Sequence, residues 1–135
     1  MKQQGVMLIE ALIGILIFSI GILAMIGMQA TAMRATIDAK YRSEASFLAN
    51  EIIGNMWVDR GSLASYATPA TCPAAPSCTW ITRVLTMLPQ DPAVPANTAP
   101  LIAVSGQQVT VTVRWQRRGE TTVSNHTAVA QINGS

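Results

Sequence analysis

Between Glu10 and Arg34 lie 23 residues without a charge, running from Ala11 to Met33. About 20 apolar residues at 1.5 Å rise cross the hydrocarbon of a bilayer. Within lipid a single segment satisfies its backbone groups only as a helix. The stretch therefore predicts a membrane helix. It also accounts for the composition: half the chain is hydrophobic and only 12% is charged, whereas charge falls on about a quarter of the residues in a soluble domain. Outside this segment the sequence is ordinary or polar, and 135 residues leave room for one small domain.

Charge excludes some functions. The formal net charge is +2, the nine Lys and Arg residues are scattered, and Arg117-Arg118 is the only basic doublet. Nucleic-acid surfaces cluster their cations and interleave them with aromatics, so nucleic acid is not among the expected partners. No nucleophile elbow, phosphate-cradling Gly-rich loop or metal-binding pair on a helix is present. The seven acidic residues show no pairing suited to acid–base work. The expectation is a chain that is not an enzyme, with no catalytic residue, cofactor or metal. His126, the single histidine, is read as a strand-surface residue without a role.

The apolar helix does not stop at Arg34. Ile37, Tyr41, Ala45, Leu48, Ile52 and Met56 recur at steps of three or four, an amphipathic stripe at helical period. Charged residues such as Arg34, Asp38, Arg42 and Glu51 avoid it. A continuous helix from Val6 to Arg60 would be about 80 Å long, with Gly61-Ser62 as its exit. The stripe predicts a face packed on a C-terminal domain. In that domain, Trp80, Ile81, Val84, Leu85 and Leu88 give a second helix, ended by Pro89. Pro92 to Pro100 reads as an exposed loop, with low-complexity disorder as the alternative. Val109 to Trp115 alternates without a fault, which predicts a half-buried strand with Val109, Val111, Val113 and Trp115 inward. Arg117 to Glu120 reads as a hairpin turn, Thr121 to Thr127 as the returning strand, and Ile102 to Val104 as a short third. The fold class is α+β: a long N-terminal helix with a small antiparallel sheet.

Cys72 and Cys78 are the only cysteines. Outside the cytoplasm they are expected to form a disulfide. Closing seven residues contributes about 2.4 kcal/mol by chain entropy. Free thiols are the alternative.

The N-terminus has a distinctive order. Lys2 supplies a basic start, Gly5-Val6-Met7-Leu8-Ile9-Glu10 follows, and the apolar stretch begins directly after the acid. An ordinary secretory signal ending at Ala30-Thr31-Ala32 is one reading, but its apolar stretch runs 7 to 15 residues and needs no carboxylate at its head. The junction resembles that of type IV pilins and type II secretion pseudopilins, and the whole chain resembles minor pilins of the pilus-modification (PilV) type. The resemblance implies a leader of residues 1–5 cut by prepilin peptidase between Gly5 and Val6, with N-methylation of Val6. Glu10 becomes the fifth mature residue and sets subunit registration: one helical turn from the new amine, it can neutralise that amine or a neighbour's. Val6 and Met7 stand where the family more often has Phe or Met and then Thr, and Gly27 stands near the usual helix-bending Pro. Gly21 to Gly27 is accordingly read as a soft stretch.

The implied organisation is a transmembrane or filament-core helix at 6–33, an amphipathic helix at 34–61 and a small α+β domain at 62–135. The implied location is the inner membrane, single-pass with a periplasmic domain, then the pilus at the cell surface. Prepilin peptidase and other minor and major pilins, met through the N-terminal helix, are the implied partners. A minor pseudopilin of type II secretion and a secreted binding protein with a cleaved signal are the rivals.

Overall fold

A computed structural model describes residues 4–68, 74–90 and 98–133. The chain divides into two compact units, residues 1–39 and 40–135, and one α-helix, α1 (Gln4–Val58), supplies residues to both.

In the first unit every residue from Gly5 to Ile37 is exposed. Consecutive large side chains such as Leu16, Ile17 and Phe18 point outward on different sides of the helix, so no polar face exists to meet water. The best 18-residue window has a mean hydropathy of 2.7, and the helix is long and apolar enough to cross a membrane. Its few hydroxyls are internally satisfied. Ser19 Oγ donates to the Ile15 carbonyl at 2.7 Å, Thr31 Oγ1 to Met28 at 2.8 Å and Thr36 Oγ1 to Ala32 at 2.9 Å. Such back-bonding removes a polar group that lipid could not pair.

The second unit holds the core. Here α1 turns one-sided, burying Ala45, Leu48, Ala49, Ile52 and Met56. The stripe expected from sequence is found from Ala45 onward, with Tyr41 partly buried against the same cluster and Ile37 exposed. The helix ends at Val58, not at Arg60. Asp59 leaves helical geometry (φ −107°, ψ 54°), and a 3-10 helix, Arg60–Tyr66, follows with a kink at Ser62. Gly61 therefore lies inside this second helix and does not close the first. What replaces the glycine exit is a side-chain anchor: buried Tyr66 donates its hydroxyl to Asp59 Oδ2 at 3.4 Å.

Helix α2 (Ser77–Met87) begins after Pro76 and ends at Leu88, directly before Pro89. It buries Trp80 and Val84 against α1, and the Trp80 indole N–H donates to the Leu48 carbonyl at 2.8 Å. A buried indole needs such an acceptor. Arg83 pairs with Glu51 across the same two helices.

The sheet is antiparallel in the order β1-β2-β3, with β1 at Leu101–Ser105, β2 at Gln108–Trp115 and β3 at Ser124–Gln131. On β2, Val109, Val111, Val113 and Trp115 all turn into the core, as the alternation predicts. Strands β1 and β2 are joined by the two residues Gly106 and Gln107. Gly106 has φ +59° while no non-glycine residue among those described is positive, the pattern of a type II′ turn matched to strand twist. The Arg117–Glu120 turn is also present, closed by Glu120 N–H to the Arg117 carbonyl at 3.0 Å with Gly119 at φ +83°. It does not lead directly into a strand. Gln116 is held outside the ladder by Pro89, whose carbonyl accepts its N–H at 3.0 Å. The return strand expected at Thr121 to Thr127 therefore begins at Ser124, opposite Trp115, and runs on to Gln131.

Candidate functional site

The residues singled out at the N-terminus all lie on α1. Gly5, Val6 and Glu10 are exposed, and a separation of four places Val6 and Glu10 on one helical face. The helix has no turn or positive φ at Gly5, and a Cβ added there would meet no atom within 4 Å. The fold itself thus makes no demand for glycine at this position. The same open space surrounds Gly14, Gly21, Gly27 and Gly54 in the same helix, so the fold does not set Gly5 apart from them.

Glu10 is equally unexplained from within. It makes no hydrogen bond or ion pair with any described residue, unlike Glu44, Glu51 and Glu120, each of which has a basic partner. It stands at the head of 23 uncharged residues, where a carboxylate without a counter-charge is costly near hydrocarbon. In the uncut chain the Val6 nitrogen is a peptide nitrogen and offers no charge. Cleavage after Gly5 would create an ammonium group one turn away. The stretch from Gly21 to Gly27 is helical throughout.

Comparison with family models, with curated proteins and with solved structures finds no match. The arrangement therefore has to be interpreted from its own chemistry.

The other predicted residues lie in the second unit. Cys78 is buried in the first turn of α2 and is not a free thiol, while Cys72, its expected partner, lies outside the described residues. His126 is half-buried on β3 opposite Val113. Among the described residues no three His, Cys, Asp or Glu side chains gather as a metal site would require. Burial, with the Asp59 carboxylate as a second cause, raises the Tyr66 phenol above its ordinary value of 10.0. That shift belongs to a structural anchor, since Tyr66 packs in the hydrophobic core.

Sequence reasoning missed the tertiary links, among them two made through backbone groups. Thr68 clasps β1: its N–H donates to the Ile102 carbonyl at 3.0 Å, and its Oγ1 accepts the Ile102 N–H at 2.9 Å. The Trp80–Leu48 bond was equally hidden. Both join residues more than 30 positions apart, and no local pattern marks them.

Proposed function

We propose that this chain is a minor type IV pilin, a structural subunit that helps to initiate or modify pilus assembly, and that it acts as a substrate of prepilin peptidase and not as an enzyme. One observation carries the reading: at the head of an exposed apolar helix, five residues after a glycine, stands an acid with no partner among the described residues. Cutting after Gly5 gives both a purpose. Glycine admits the peptidase, and Glu10 meets the new amine of Val6 or that of an adjacent subunit. An ion pair in apolar surroundings is strongly destabilised when one partner is missing, by about 3 to 5 kcal/mol. Where the amine is that of an adjacent subunit, docking one turn out of place would leave both charges unpaired, which makes the pair a register gauge. The subunit waits in the inner membrane with its folded unit on the periplasmic side, then enters the pilus. The amine is N-methylated on this reading.

A signal peptide ending at Ala32 is less well supported. Its apolar stretch would exceed the 7 to 15 residues of such a signal, and the cut would leave the Glu10 carboxylate at the head of that stretch without a role. On the periplasmic side Cys72 and Cys78 are proposed to be joined. Alkylation under non-reducing conditions should then leave both unlabelled, and labelling of both would end that part of the proposal.

N-terminal mass analysis of the protein from its own cells tests the main reading. A chain starting at methylated Val6 is expected. A start at Met33 would show a secreted protein. Gly5→Asp is expected to leave uncut precursor in the membrane, and normal trimming of that variant would remove the case for the peptidase.

A further inference from the structure

Three polar side chains fall within the uncharged span from Ala11 to Met33: Ser19, Gln29 and Thr31. The two hydroxyls are answered by their own helix, through the Ile15 and Met28 carbonyls. Gln29 is not. It is exposed, and its amide makes no hydrogen bond with any described residue.

Depth makes this costly. Ile22 stands midway between Glu10 and Arg34, and at 1.5 Å per residue Gln29 lies about 10 Å beyond it. Half the hydrocarbon thickness is about 15 Å, so Gln29 falls inside it. Side chains of a helix lean toward its N-terminus, which carries the amide away from the nearer boundary and toward the middle of the bilayer. Met25, Met28, Gln29 and Ala32 line one shallow hollow on the helix surface, and Gln29 is the polar member of that set. Acyl chains offer it neither donor nor acceptor, and an amide left unpaired in hydrocarbon is strongly disfavoured.

We propose that Gln29 is the contact through which two copies of this chain associate in the membrane, helix beside parallel helix, by amide-to-amide hydrogen bonds. Every copy enters the bilayer from the same side, so the axis relating two of them runs along the membrane normal. Both Gln29 residues then come to the same depth. A glutamine amide donates through nitrogen and accepts through oxygen, so two identical ones satisfy each other. Ala32 is short and the thioethers of Met25 and Met28 are adaptable, which lets the two helices approach closely enough for the bond to form. This inference rests on α1 crossing a membrane and does not depend on cleavage after Gly5.

The test uses the full chain, labelled on its second unit with donor or acceptor fluorophores and reconstituted in phosphatidylcholine vesicles. Energy transfer between copies should climb with the protein-to-lipid ratio, following mass action. Gln29→Leu keeps the bulk and suits lipid, so the chain still inserts, but association should weaken about three- to thirtyfold, the range of polar contacts between membrane helices. Gln29→Asn, which keeps an amide, should recover part of the loss. An alkaline carbonate wash of the same vesicles separates the two readings. Release of the chain would overturn the membrane helix and this proposal together, whereas retention without energy transfer would overturn the proposal alone. So would transfer undiminished in Gln29→Leu, or transfer that appears only when a different membrane protein is supplied.

Discussion

At the scale of single residues, Trp80 and Tyr66 tie the second unit together by polar atoms placed inside an apolar core. The Leu48 carbonyl already accepts a helical N–H within α1, so the Trp80 indole uses its second lone pair. Trp80→Phe keeps an aromatic ring and leaves that carbonyl its helical partner. The expected cost is therefore one net hydrogen bond, about 0.5 to 1.5 kcal/mol, plus a smaller packing loss. Trp80→Ala should cost about 3 to 5 kcal/mol. Equilibrium urea unfolding in detergent measures both, and an unchanged stability in Trp80→Phe would show that the bond contributes nothing. Tyr66 predicts a pH dependence. Its phenol is raised above 10.0 in the folded chain, by burial first and Asp59 second, so the folded state keeps a proton that the unfolded state has released. That contribution is intact below about pH 10 and drains away as pH climbs through the raised folded value. The urea midpoint should fall between about pH 9 and about pH 11, and Tyr66→Phe should flatten this part of the slope.

At the scale of elements, legibility followed periodicity. The α1 stripe, the α2 face and the β2 alternation were readable because each repeats a side-chain pattern set by its own geometry. Ends were less readable. Val58 ends α1 because Asp59 is drawn toward Tyr66, seven residues on, and no local signal announces that. Strand β3 was misplaced for a related reason. With Ala128 and Ala130 on its inward side it has weak intrinsic strand preference, and its limits are set by pairing with β2 and by the bond from Gln116 to Pro89. The junction at Gly5, Val6 and Glu10 was legible because its spacing is local. The clasp of Thr68 on Ile102 was not, since it depends on a fold not yet made. One turn signal was available and passed over: Gly106 between two apolar runs. Gly106→Val puts a β-branched residue at φ +59° with open space around it. The expected loss of about 1 to 2 kcal/mol is therefore backbone strain and not collision. Gly106→Asn, which tolerates positive φ better, should recover part of it in the same unfolding experiment. A loss of equal size would refer the effect to something other than φ.

At the scale of the whole molecule, two solvents are written into one chain. Residues 5–37 bury nothing within the protein, while every member of the core cluster and every residue packed against it lies at Tyr41 or beyond. Removing residues 1–39 therefore removes no core contact and exposes no core side chain. The shortened α1 gains only unsatisfied N–H groups at its new start, which water can meet. A chain beginning at Lys40 is accordingly expected to be soluble without detergent and to unfold cooperatively. Its stability should lie within about 0.5 kcal/mol of that of the same unit in the full chain, the usual range for changes away from the core. The full chain should instead stay with membranes through an alkaline carbonate wash. Each exposed Leu, Ile or Phe of the first unit gains about 1.5 to 3 kcal/mol by leaving water, and nothing in the second unit can supply that shelter from within residues already committed to their own core. Release of the full chain by the wash, or failure of the shortened chain to unfold cooperatively, would mean that the two units depend on each other in a way their separate burial does not require.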